Sequence, residues 1–195
     1  MEKIVSSAGP AAALFSDKDI FLSAAAGSVG LRPVIEEDRE FLFYVYAATR
    51  SEEMKLVDWD DSKKDEFLRM QFEAQDRYYR DNYTSASYWV VLFDNSSCGR
   101  LYIDRWDTEI RIMDIALLPD FRNRGIGSSL LRRIMEEGLR LGLPVTIHVE
   151  QFNPALRLYQ RLGFSPVGEN GIYLLMRWSA GQSADAVNPE VMNHA

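Results

Sequence analysis

The chain has 195 residues, 47% of them hydrophobic and 12% aromatic, enough apolar material for one domain with a real core and no need of metals or disulfides. A net charge of -7 argues against an ordinary basic nucleic-acid surface, and no apolar run approaches the ~20 residues that span a bilayer. One cysteine, Cys98, excludes an internal disulfide, and with only His148 and His194 as histidines the chain is short of partners for a Cys/His nucleophile or a zinc site.

Residues 1–28 read as an N-terminal extension, rich in Ala and Ser and broken by Gly9-Pro10. Asp17, Lys18 and Asp19 interrupt what would be the apolar stretch of a secretory signal, so a cytoplasmic protein is expected. The folded domain is expected over residues 29–178. It opens with a short strand, Val29 to Ile35, and a helix, Glu36 to Thr49, whose Phe41, Tyr44, Val45 and Ala48 recur at three and four. A longer helix, Asp60 to Asn82, follows, with Phe67, Met70, Gln71, Ala74, Arg77 and Tyr78 on its expected inner face.

The period then switches to two. Tyr88 to Phe93, Gly99 to Arg105 and Glu109 to Leu118 predict an antiparallel meander, turned at Asp94-Asn95-Ser96-Ser97 and at Trp106-Asp107-Thr108. Ser128 to Leu141 predicts an amphipathic helix that ends at Gly142, where a left-handed cap is favourable. A strand, Val145 to Glu150, a helix, Pro154 to Leu162, and a last strand, Ile172 to Trp178, complete an α+β pattern. Residues 179–195 read as a disordered polar tail.

Charge is unevenly spread. Residues 36–81 carry 14 acidic and 8 basic side chains, whereas residues 82–178 carry 10 acidic and 11 basic. This suits a cationic acceptor and an anionic donor, although acidic solvated helix faces explain the first half equally well.

The sharpest feature runs from Leu117 and Leu118 through Pro119-Asp120-Phe121 to Arg122-Asn123-Arg124-Gly125-Ile126-Gly127-Ser128. A strand end leads through two glycines into a long helix. Glycine permits left-handed backbone angles, and a helix start offers unpaired N–H groups with partial positive charge. Together with Arg122 and Arg124 these form a cradle for phosphate oxygens. A dinucleotide fingerprint would need glycine where Leu130 stands, and a P-loop would need a lysine between Gly127 and Ser128. The bland alternative is a strand-to-helix connection whose glycines only turn the chain.

Arg122-Asn123-Arg124-Gly125-Ile126-Gly127 matches the Arg/Gln-x-x-Gly-x-Gly/Ala signature, and Asn153-Pro154-Ala155-Leu156-Arg157-Leu158-Tyr159-Gln160-Arg161-Leu162-Gly163-Phe164 is similar to an Asn-...-Leu-Tyr-x-x-Leu-Gly-Phe segment. Both belong to the Gcn5-related N-acetyltransferase (GNAT) superfamily, which the chain resembles over roughly residues 30–178. The resemblance implies a mixed, twisted central sheet of about six to seven strands flanked by helices and splayed between the Glu109–Leu118 and Val145–Glu150 strands. It also implies acetyl-CoA as co-substrate, without a metal, and a primary amine of a small molecule or polypeptide as acceptor. Homodimer formation is left open.

Residue by residue, the resemblance implies pyrophosphate binding by the backbone of Arg122, Asn123, Arg124, Gly125, Ile126, Gly127 and Ser128. The pantetheine arm would bond the backbone of Leu117 and Leu118 and touch Asn153, whose spacing to Tyr159 is one residue shorter than in many members. Tyr159 matches the tyrosine that protonates the departing thiolate; a core aromatic is the plain alternative. Members with a carboxylate base on the meander's last strand place it near Arg111, so the chain departs from the pattern there. The nearest carboxylates are Glu109, on the same face as Arg111, and Asp114, expected on the opposite face. These are the leading candidates, followed by Glu150 and His148, or a water chain with no dedicated base. Tyr44, Trp59, Asp60, Asp61 and Tyr78 are expected around the acceptor. A CoA-binding regulatory module without catalysis is the alternative reading, and an acetyltransferase acting on aminoacyl-tRNA is disfavoured by the acidic charge.

Overall fold

The computed structural model of the protein describes residues 22–24 and 27–181. Most of the expected extension (1–21, 25 and 26) and the tail from 182 to 195 lie outside the described residues. In chain order the elements are β1 (Leu22–Ala24), β2 (Gly27–Pro33), α1 (Arg39–Lys55), α2 (Asp61–Asn82), β3 (Ser87–Phe93), β4 (Ser96–Arg105) and β5 (Ile110–Leu117). Then come α3 (Ile126–Leu141), β6 (Val145–Glu150), α4 (Leu156–Arg161), β7 (Ser165–Asn170) and β8 (Tyr173–Trp178).

The strands form one mixed sheet in the order β1-β2-β3-β4-β5-β6-β8-β7, in which only β5 and β6 run parallel. This is the expected α+β architecture with two additions. The first is the three-residue β1, which pairs with β2, so strand structure begins inside the stretch read as an extension. The second is β7, Ser-Pro-Val-Gly-Glu-Asn, whose Pro166 and Gly168 conceal it from a propensity reading. As the sheet's edge it tolerates both, because one side of its backbone needs no partner.

Alternation along the strands splits the core in two. Val91, Leu101, Ile103, Ile110, Ile112 and Ile147 face α3 and α4, where Leu130, Leu131 and Ile134 of α3 are fully buried against them. Val90 and Leu92 face the other way, onto Leu42, Phe43 and Tyr46 of α1 and Leu68 and Phe72 of α2. The long amphipathic α3 falls where its sequence period places it. The inner face of α2 does not: it follows Leu68 and Phe72, one position on from the expected stripe, and Met70 is 60% exposed. Tyr44 of α1 is likewise 61% exposed. Aromatic and long aliphatic residues lie all round both helices, so a three-four period fits more than one stripe.

Two irregularities position the site. At the β3–β4 hairpin, Asp94 and Asn95 both adopt positive φ (47° and 66°), the geometry of a two-residue turn that follows the strand twist. Across the β4–β5 pair, Tyr102 faces Asp114 but Ile103 faces Ile112, so Met113 is an extra residue. Such a bulge shifts side-chain parity by one. Arg111 and Asp114 therefore emerge on the same face of the sheet, towards α1 and α2, not on opposite faces as strict alternation predicts.

Candidate active site

β5 and β6 pair only from Ile110–Val145 to Ile112–Ile147. Beyond the Met113 bulge the strands part, and Met113 to Leu117 no longer pairs with His148 to Glu150. The parting opens a cleft of about 190 Å³. Its walls come from β5 and β6, from Tyr46, Arg50 and Glu53 of α1, and from Asn153, Tyr159 and Tyr173. The splay expected between these two strands is thus present, with a local cause.

The Arg122–Ser128 loop begins where β5 ends. Asn123 and Gly125 both take left-handed angles, φ 61° and 82°. The first bond inside α3 joins the Ser129 N–H to the Gly125 carbonyl at 3.0 Å, and no side chain caps the helix. Among the described residues, the amides of Asn123, Arg124, Gly125, Ile126, Gly127 and Ser128 have no acceptor. Six N–H donors at a helix start suit an anion carrying many oxygens. Gly125 is needed for its backbone angle. A β-carbon on Gly127 would meet Leu158 Cδ2 at 3.5 Å, an ordinary contact, so that position tolerates more.

Two members of the expected binding stretch are otherwise engaged. The Arg122 amide donates to the Pro119 carbonyl at 3.1 Å, which leaves its guanidinium as its only donor; that group now bonds the Leu117 carbonyl at 3.0 Å. Leu118 is committed on both sides: its N–H donates to the Cys98 carbonyl at 2.9 Å and its own carbonyl accepts from Phe121 at 3.0 Å. It has no backbone group for a ligand. Ladder alternation turns Leu117 and Ile115 into the split instead. The Arg124 guanidinium lies over the Phe121 and Phe93 rings, 5.4 and 5.8 Å from their centroids.

Tyr159 projects from α4 to the cleft, 4% exposed, with its ring edge-on to Phe164 at 5.8 Å. Burial, assisted by the negative charge of Asp114, raises its phenol well above the usual range, so the hydroxyl stays protonated. The short helix behind it is started by Asn153, whose Oδ1 accepts from the Ala155 amide at 2.9 Å. The Asn153 side-chain oxygen is thereby occupied, leaving the NH₂ as the group it can offer.

The two leading base candidates are both tied down. Asp114 accepts from Arg100 Nη2 at 2.7 Å and Nε at 3.3 Å, and Arg100, 2% exposed, also donates to Gln75 at 3.0 Å. Burial opposes the charge on Arg100, but Asp114 together with the Tyr102 and Tyr79 side chains more than offsets it, and the guanidinium stays ionised. Glu109 holds Arg111 through Nε at 2.9 Å and does not line the cleft. Asp114 thus has both carboxylate oxygens engaged by Arg100, whereas Glu109 bonds Arg111 through Oε1 alone and is set apart by lying outside the cleft. Arg111 also reaches His148 Nδ1 at 2.8 Å and lies 5.1 Å from the Trp106 ring centroid. Because arginine can only donate, Nδ1 must accept and the neutral ring carries its proton on Nε2. Desolvation and the Arg111 charge hold the His148 pKa below its ordinary value, against the pull of Glu109.

None of Tyr44, Trp59, Asp60, Asp61 and Tyr78 lines the cleft. Trp59 packs edge-on to Phe67 and Asp60 caps α2 through the Lys63 amide at 2.8 Å. The residues that do line it from α1 and α2 are Tyr46, Thr49, Arg50, Glu53 and Gln75, and nothing in their spacing marks them.

Residues 36–164 match the Acetyltransferase (GNAT) family, and the chain belongs to that family. No curated protein matches it closely. Among solved structures, the PaiA N-acetyltransferase of Thermoplasma acidophilum in complex with coenzyme A superposes with a TM-score of 0.60 at 15% identity, covering 78% of this chain and 99% of that one. An acetyltransferase of Thermus thermophilus gives 0.57 at 19% identity, with 77% and 96% covered. Arabidopsis thaliana Naa50 bound to a CoA–peptide bisubstrate analogue gives 0.53 at 17%, with 77% and 98% covered. At such identities the likeness is one of fold.

Proposed function

We propose that the protein transfers an acetyl group from acetyl-CoA to a primary amine by direct attack, without an acyl-enzyme. The observation that carries this reading is the set of unpaired amides from Asn123 to Ser128, on the loop that follows the strand whose Met113, Asp114, Ile115 and Ala116 line the cleft together with Tyr159. Those amides, with the Arg122 and Arg124 guanidiniums, hold the pyrophosphate. Leu117, Ile115 and the Asn153 NH₂ receive the pantetheine amides. The co-substrate supplies an activated acyl group as its thioester. Tyr159, kept protonated by burial, gives its proton to the departing sulfur. The neighbours in complex with coenzyme A and with a CoA–peptide analogue support this use of the cleft, and the acceptor is accordingly a small-molecule amine or a polypeptide amine. No helix among the described residues is long and apolar enough to cross a membrane, and the reading includes a cytoplasmic location.

Calorimetry with acetyl-CoA and thiol release with a panel of amines test the proposal. Saturable binding and amine-dependent thiol are expected. Binding without thiol above background hydrolysis would make the protein a CoA-binding module instead, and absence of binding would remove the loop assignment.

A further inference from the structure

An amine acceptor arrives at neutral pH as an ammonium, and its lone pair is unavailable until a proton leaves. The group that takes it must lie in the cleft, face α1 and α2, and keep an unbonded lone pair. Asp114 fails because Arg100 engages both its oxygens, and Glu109 because it does not line the cleft. His148 fails because Arg111 holds Nδ1, which leaves the outer nitrogen protonated and a donor. Glu53 lines the cleft, but it stands near the C-terminal end of α1, 55% exposed and bonded to Arg50 at 2.9 Å.

The geometry points to Glu150 as the base that deprotonates the acceptor amine, an assignment that rests on the acetyl-transfer reading above. Glu150 ends β6, three residues beyond Ile147, the last residue of that strand paired with β5, and its side chain is 30% exposed. Two elements converge on it. Tyr173 of β8 donates its hydroxyl to Oε1 at 3.2 Å, and Arg50 of α1 approaches the same oxygen at 3.4 Å. Among the described residues Oε2 takes no hydrogen bond. One oxygen therefore anchors the carboxylate, while the other stays open.

The surrounding charges suit the task. Glu150 meets Arg50 and Glu53 from α1, Tyr173 from β8, His148 on its own strand, and Asp114 of β5 across the cleft with its Arg100. Arg50 is shared between two carboxylates and Asp114 is matched by Arg100, so the mouth carries one unmatched negative charge when His148 is neutral. That charge draws an ammonium in. Glu150 Oε2 takes one proton from it, and the nitrogen lone pair forms the amide C–N bond as the thioester C–S bond breaks. The nitrogen's second proton balances the one that Tyr159 gives to the sulfur. Glu150 returns its proton to solvent through the open mouth.

The test is Glu150→Gln in the full chain, assayed with acetyl-CoA and an alkylamine whose pKa is about 10. At pH 7, kcat/KM is expected to fall about 10²- to 10⁴-fold while acetyl-CoA affinity stays unchanged. The deficit should shrink about tenfold per pH unit as solvent deprotonates the amine. A retained rate, or a deficit that pH does not narrow, overturns the assignment. Tyr173→Phe is the second variant. Removing a hydrogen bond to the charged form raises a carboxylate's pKa, so the acid limb of the rate profile should move to higher pH; an unmoved limb counts against Glu150. A wild-type protein that binds no acetyl-CoA removes the acetyl-transfer reading as well. Intact wild-type turnover with an indifferent Glu150→Gln removes only this one.

Discussion

The loop before α3 and the cleft wall are built on opposite electrostatic rules. At the α3 loop six amides stand without acceptors, whereas on the wall facing α1 and α2 the arginines are matched to carboxylates: Arg100 to Asp114, Arg111 to Glu109, and Arg50 to Glu53 and Glu150. Exposure explains the difference. Arg122, Asn123 and Arg124 are exposed, so water can serve the loop donors until an anion replaces it. Arg100 is 2% exposed, and an unmatched charge there would lose its hydration with nothing in return. A binding surface can leave its groups open where solvent reaches; a buried wall must satisfy its own.

The largest effect should come from breaking the matched side. Arg100→Met leaves the largely buried Asp114 without its counter-ion, which costs about 3–5 kcal/mol of stability. Thermal or urea unfolding reads this, and adding Asp114→Leu should recover much of the loss; no recovery would mean that the pair does not act as a unit. Next is the tyrosine that lines the cleft from α4. Tyr159→Phe should lower kcat by at least about 10²-fold with acetyl-CoA affinity intact, and full activity would leave the ring only its packing against Phe164.

On the open side, Gly125→Val forces a β-branched residue to φ 82°. Strain of about 1–3 kcal/mol at that position should weaken acetyl-CoA binding roughly 5- to 150-fold by calorimetry. Unchanged affinity would show that the loop tolerates rearrangement and that its open amides matter little. The smallest effect tests whether Arg111 suppresses a charge on His148. The folded-state pKa of His148 lies below its ordinary value, so as pH falls below about 6.5 the unfolded chain gains a proton that the folded chain resists. Stability should decline over that window, and His148→Asn should flatten the decline in urea midpoints measured from pH 7 to 5.

Local features were legible in the residues. The α3 stripe of Leu130, Leu131 and Ile134, the cap at Gly142 with φ 70°, and the strand-loop-helix carrying Gly125 each depend on neighbours a few positions away. The inner face of α2 was not, because its aromatic residues offer several stripes and only the sheet beneath it selects Leu68 and Phe72. The facing of Asp114 was hidden for a related reason. A strand read by alternation places Asp114 opposite Arg111, and one bulged residue, Met113, reverses that.

The sequence by itself determined the backbone chemistry of the glycine-containing loop before α3 and the family to which the chain belongs, since both reside in contiguous residues whose conformations are set locally. Only the tertiary structure decided which charges neutralise each other. Arg100 meets Asp114 across 14 positions, Arg105 meets Glu137 across 32, and Arg50 meets Glu150 across 100. Ion pairing follows distance in space and loss of solvent, and neither is written in the spacing of residues along the chain.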